Sequence, residues 1–175
     1  MKHLKWLSLL LTLFLLCVFS CGCGATAKKD LLEALRSARV ITASDSDLFF
    51  TLEWSETNGI VRSVFRFSSP EQLKPLTITE ENGKIHASYK GLETEVTEEF
   101  CARLLPLSRA MRAFRSSGTE TGVQGDRSYL RAALDGDTFL MYYDPASGVF
   151  TRLEWTGESG SGGYDILSCT ASDSE

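Results

Sequence analysis

Lys84-Ile85-His86-Ala87-Ser88-Tyr89-Lys90-Gly91-Leu92-Glu93-Thr94-Glu95-Val96 decides how the rest of the chain is read. Ile85, Ala87 and Tyr89 alternate with Lys84, His86, Ser88 and Lys90. After Gly91, Leu92, Thr94 and Val96 alternate with Glu93 and Glu95. A period of two is the signature of a strand with one buried and one wet face. The basic residues of the first half and the acidic residues of the second meet across the glycine turn, which favours antiparallel pairing.

The same pattern spreads in both directions. Upstream, Leu48–Trp54 places Leu48, Phe50, Leu52 and Trp54 on one face, Ile60–Phe67 alternates, and Leu76–Thr79 forms a short segment. Asn58-Gly59 and Asn82-Gly83 are strong hairpin turns between them. Downstream, strands are expected over about Ser128–Leu134, Thr138–Tyr143, Val149–Trp155 and Tyr164–Ala171. Asp135-Gly136-Asp137 and Asp144-Pro145-Ala146-Ser147-Gly148 have the composition of turns. Thr42–Asp47 is expected to be a turn cluster, Ser116–Gly125 a loop and Gly157–Gly163 a flexible loop. Two helices complete the order. One runs from Lys28 to about Ala38, with Leu31, Leu32, Leu35 and Ala38 at helical spacing. The other runs from about Glu98 to Arg115, with Phe100, Leu104, Leu107, Met111 and Phe114 along one stripe and Pro106 inside it, where proline should kink or split a helix. The expected fold class is α+β: an antiparallel, curved sheet of about eight or nine strands, with an N-terminal helix and a central kinked helix packed on one face.

The N-terminus has a different character. Lys2 and Lys5 precede an uncharged apolar run from Trp6 to Phe19, and small residues follow at Ser20-Cys21-Gly22-Cys23-Gly24-Ala25. These are the three parts of a secretory signal, and the run is short for a membrane span. Val18-Phe19-Ser20-Cys21 resembles the lipobox of bacterial lipoproteins. That resemblance implies a diacylglyceryl group on the Cys21 sulfur and cleavage before it. Modification of Cys23 is the second reading, with the non-aliphatic Ser20 in the leading position. The chain then divides into a signal peptide at 1–20, a tether at 21–27, one domain at 28–171 and a polar tail at 172–175. The implied partner is the membrane, at its extracytoplasmic face, since two acyl chains suffice for stable anchoring.

Removing Lys2 and Lys5 from the 18 basic residues leaves 16 against 23 acidic ones, a formal charge of −7. No basic stripe is present, which argues against nucleic acid as a partner. Outside the cytoplasm a disulfide is permitted, and Cys101 with Cys169 is the pair to test against two buried thiols. His86 is the only histidine after the signal and lies on a polar strand face. The sequence has no Gly-x-Ser-x-Gly and no Ser-x-x-Lys pattern, and no His or Cys set with zinc spacing. Paired carboxylates such as Glu80-Glu81 and Glu93 with Glu95 fall at turns and on wet faces. No enzyme activity, cofactor or metal is expected.

Helix, meandering strands, a central helical segment and a final set of strands is an order similar to the LolA/LppX-like lipoprotein-carrier fold. Asp137–Trp155, Asp-Thr-Phe-Leu-Met-Tyr-Tyr-Asp-Pro-Ala-Ser-Gly-Val-Phe-Thr-Arg-Leu-Glu-Trp, resembles its strand–Asp-x-x-x-Gly–strand hairpin. The resemblance implies an apolar cavity between a curved sheet and its helices, holding an acyl chain or other hydrophobic ligand. On that reading Phe65, Phe67, Tyr89, Leu104, Leu107, Met111 and Phe114 line the ligand site, with Pro106 as a hinge and Met111 on the lid. The same aromatic and apolar residues also suit a solid core. The alternative is therefore a protein-interaction module with no cavity, docking a partner on its open sheet face or edge.

Overall fold

The computed structural model describes residues 23–116, 118–158 and 160–171. The segment expected to be a signal peptide at 1–20, the expected lipidation site Cys21 and the expected polar tail at 172–175 lie outside the described residues. The chain divides into two compact units, residues 1–33 and 34–175. Helix α1 spans Cys23–Ser37, so the stretch from Cys23 to Ala27, expected as tether, is helical.

The strands are β1 (Val40–Asp45), β2 (Leu48–Thr57), β3 (Ile60–Ser69), β4 (Leu76–Glu81), β5 (Lys84–Tyr89) and β6 (Leu92–Val96). Helix α2 (Leu105–Ser116) follows, and then β7 (Glu120–Gln124), β8 (Arg127–Leu134), β9 (Asp137–Tyr143), β10 (Phe150–Gly157) and β11 (Gly160–Thr170). All eleven join one antiparallel sheet in the order β6-β5-β4-β3-β2-β1-β11-β10-β9-β8-β7. The first six strands step outward from the centre to one edge. The chain crosses through α2 to the opposite edge and steps back until β11 pairs with β1. The α+β class and the antiparallel sheet are as the alternation implied. Four of the tight turns have two consecutive residues at positive φ, at Asn58-Gly59, Asn82-Gly83, Lys90-Gly91 and Asp135-Gly136. That is the backbone of the hairpin turn whose twist matches its strands.

The sheet has eleven strands where eight or nine were expected, because two segments read as turn or loop are strands. β1 is central. Its Ile41 and Ala43 are buried, and Ala43 faces Phe50 on one side and Ile166 on the other. A small residue fits there because its neighbours fill the space, so the strand carries little apolar signal of its own. Only Ser46, at φ 56°, and Asp47 form the turn. β7 is an edge strand with a glycine at its centre, and half of its side chains need not be apolar. The glycine-rich stretch before Tyr164 is also largely strand. Gly162 lies opposite Trp155, and a Cβ there would come within 2.4 Å of the indole ring. The glycine marks a close approach of ring to backbone rather than flexibility.

Helix α2 begins at Leu105, not near Glu98. Pro106 lies in its first turn, where a missing N–H and a fixed φ are tolerated, so it neither kinks the helix nor interrupts it. The stretch before it is a series of turns, closed by Cys101 N–H donating to Glu98 O at 3.0 Å and Leu104 N–H to Cys101 O at 2.8 Å. Phe100, expected on the apolar stripe, is therefore 65% exposed. Leu104, Leu107, Ala110, Met111 and Phe114 are buried. α2 packs against β8 and β2 on the face that we call inner. That face carries Phe50, Phe65, Leu130, Phe139, Leu153 and Tyr164, all without solvent exposure. Tyr164 stacks on Trp155 at 4.7 Å and meets Phe50 edge-on at 5.7 Å. Its hydroxyl donates to Arg103 O at 2.8 Å, which ties the turn before α2 to the sheet.

Candidate functional site

Period two predicts where polar groups enter the inner face. In β4, Ile78 points inward, so Glu80 does too; in β9, Phe139 and Met141 point inward, and so does Asp137. A carboxylate in an apolar row needs a partner, because an isolated buried charge is costly. α2 supplies partners from one side of its cylinder. Arg112 Nη2 donates to Glu80 Oε1 at 3.2 Å, and the Ser108 hydroxyl lies 2.7 Å from Glu80 Oε2. Arg109 donates to Glu98 at 2.6 Å and stands 3.8 Å from Asp137. Asp137 is almost fully buried, and its Oδ1 occupies the place a Cβ on Gly157 would take, at 2.1 Å. Glu80, Glu98, Arg109, Arg112 and Asp137 border a cleft of about 460 Å³, lined also by Ile85, Asp135 and Glu158.

A second polar group closes the other end of α2. The Arg115 guanidinium lies 3.6 Å from the centroid of the Trp54 ring, and Arg39 approaches the same ring at 5.5 Å. Arg115 donates to the Ala38 carbonyl. Burial, reinforced by the charge of Arg39, lowers the Arg115 pKa to about 10. The sequence shows the arginines of this helix as a row off the apolar stripe. Their roles as caps over the two ends of the core become legible only when paired with Glu80, Asp137 and Trp54 on the inner-face rows.

The residues expected to line a ligand site do come together, but as packing. Phe65, Leu107, Met111 and Phe114 have no accessible surface, and Phe67 and Leu104 have little. A side chain bordering a void the size of a water molecule keeps accessible area on that side. Tyr89 is apart from the others: it sits near the β6 edge, 39% exposed, with Lys90 Nζ 5.2 Å above its ring. His86 is on the outer face, opposite α2, beside a hollow lined by Arg62, Glu81, Lys84 and Glu93. Ser108 and His86 therefore belong to opposite faces. Among the described residues no group of three or more His, Cys, Asp or Glu side chains is arranged to hold a metal ion.

Cys101 and Cys169 are both free thiols, not a disulfide. Cys101 precedes α2 and is close enough to Glu80 to be influenced by its charge. Cys169 feels Arg115 at the other end of the helix. A helix of 12 residues is about 18 Å long, whereas a disulfide needs Cα atoms within roughly 7 Å. Burial pushes both thiols up to about 11. Comparison with protein-family models and with curated proteins finds no match to this chain.

The thiols give a signed pH dependence. Folded, they hold their protons to about pH 11; unfolded, they release them near the ordinary value of 9.0. Their contribution to stability is complete below pH 9 and is lost as pH rises towards 11. Urea unfolding midpoints should fall over that interval, and fall less in a Cys101→Val/Cys169→Val variant. Cys169 is only partly buried, so the sharper check is Cys101: its rapid alkylation in the folded protein at pH 8 would contradict its burial.

Proposed function

We propose that the chain is a membrane-anchored, extracytoplasmic lipoprotein whose folded domain is a non-enzymatic protein-interaction module with a solid core. The observation that carries this reading is the zero accessible surface of Leu107, Met111, Phe114 and Phe65. In a carrier with an empty cavity, those side chains would border the void. Here the apolar stripe of α2 takes the place of a ligand.

The sheet geometry supports the same reading. β4 and β9 are six strand spacings apart in the sheet order, about 29 Å in a flat sheet. Yet Arg112 reaches Glu80 on β4 and Arg109 approaches Asp137 on β9, from adjacent turns of one helix. We take the sheet to be curved around α2, which fits the architecture of the lipoprotein-carrier fold with its interior filled. Anchoring rests on the lipobox-like Val18-Phe19-Ser20-Cys21. Among the described residues no helix is long and apolar enough to cross a membrane.

Two measurements test the two halves of this proposal. Met111→Ala should lower unfolding stability by the full core cost of about 2–5 kcal/mol, and neither long-chain fatty acid nor extracted lipid should stabilise the wild-type protein. A small loss with clear stabilisation by lipid would restore the ligand-cavity reading. For the anchor, metabolic labelling with a clickable fatty acid should mark the wild-type chain and fail in Cys21→Ala. Labelling that survives in Cys21→Ala and disappears in Cys23→Ala would move the site to Cys23.

A further inference from the structure

We propose that β6 is a docking edge that takes up, as an added antiparallel strand, an extended segment of a partner protein with basic residues at alternate positions and apolar residues between them. This rests on the reading of the domain as an interaction module and names where its partner binds.

Among the described residues β6 is the last strand of the sheet and pairs only with β5, so its outer backbone groups face no described strand. Such a row of N–H and C=O groups is a template for another strand. Its two faces have distinct chemistry. On the inner face, Leu92 lies beside Tyr89 and Val96 beside Ile85. Exposure along this face rises towards the edge, to 77% at Leu92. This is an apolar step left open where α2 no longer covers the sheet. On the outer face, Glu95 lies beside His86 and Glu93 beside Ser88. Neither Glu93 nor Glu95 takes part in an ion pair among the described residues. An added strand would meet two carboxylates at alternate positions on one side and Leu92 and Val96 on the other. Charge complementarity selects Lys or Arg opposite the first, and burial selects apolar residues opposite the second.

A second copy of the chain does not fit this edge. Antiparallel pairing of β6 with itself, centred on Thr94, brings Glu93 of each copy against Glu95 of the other. That makes two like-charged pairs on one face. The opposite edge, β7, is differently equipped. Glu120 is held by Arg131 at 3.1 Å and Gln124 by the Tyr142 hydroxyl at 2.8 Å, so its outer-face side chains are already paired within the domain.

The test uses the full chain and a synthetic peptide with lysine and valine at alternate positions, about seven residues long to span β6. Hydrogen exchange should slow at the amides of Leu92–Val96 when the peptide is added and stay unchanged at Glu120–Gln124. The variant Glu93→Lys/Glu95→Lys should bind the peptide at least about tenfold more weakly, since two opposite-charge pairs become two like-charge pairs. The same peptide with glutamate in place of lysine should prefer that variant over wild type. A peptide of equal composition with its lysines and valines in blocks should bind far less. Equal binding by the block peptide, or an unchanged affinity in the charge-reversed variant, would overturn the proposal. So would protection that falls on β7 or the outer face, although the interaction-module reading would then survive. Self-association of the unliganded chain through β6, seen by sedimentation and by protection of the same amides, would also overturn it.

Discussion

One helix of 12 residues is the helix that packs across a sheet of eleven strands, and the rest of the domain follows from how that is achieved. The apolar stripe Leu104, Leu107, Met111 and Phe114 is the surface against which strands from both halves of the sheet bury their inner rows. A fully buried Leu or Phe is worth about 1.5–3 kcal/mol relative to exposure, and most of this stripe is fully buried. The arginines beside it serve the same packing. Arg112 and Arg109 neutralise Glu80 and Asp137, which stand in otherwise apolar rows, and Arg115 caps Trp54 at the far end. Charge and packing thus converge on α2 from both flanks.

The sequence was most readable where alternation coincided with a turn dipeptide. The β5–β6 hairpin and the Asn-Gly turns either side of β3 and β4 follow directly from residue order, because period two and positive φ each leave a residue signature. β1 left none. A central strand flanked by Phe50 and Ile166 has room only for Ala43, so its apolar signal lies in its neighbours. Pro106 was misplaced for a related reason. Helical spacing extends the stripe back to Phe100, but proline stands most easily in a first turn, and the helix starts there. The polar caps were the least legible part. Glu80 and Asp137 fall on inward positions of their strands, which was a usable signal. Their pairing with Arg112 and Arg109 depends on the crossing of α2 over strands far apart in sequence, and no local pattern carries that.

The functional reading turns on the same helix. A lipoprotein-carrier architecture and a solid interaction module share element order, aromatic load and amphipathic helix, so sequence alone leaves both open. They differ in whether the stripe of α2 borders a void. With the stripe buried, the surfaces left for function are the outer face, the edges and the polar cleft beside Arg109 and Asp137. The acidic row of β6 beside Leu92, without an ion pair among the described residues, is the edge with the most distinctive chemistry.

The central claim, that the interior is filled by the protein's own side chains, is tested most directly by native mass spectrometry of the full chain purified with detergent from bacterial cells that express it. The account predicts a single folded species whose mass equals the covalently acylated chain, with no additional bound lipid released on collisional activation. A stoichiometric noncovalent lipid, lost on activation from an otherwise intact fold, would contradict it.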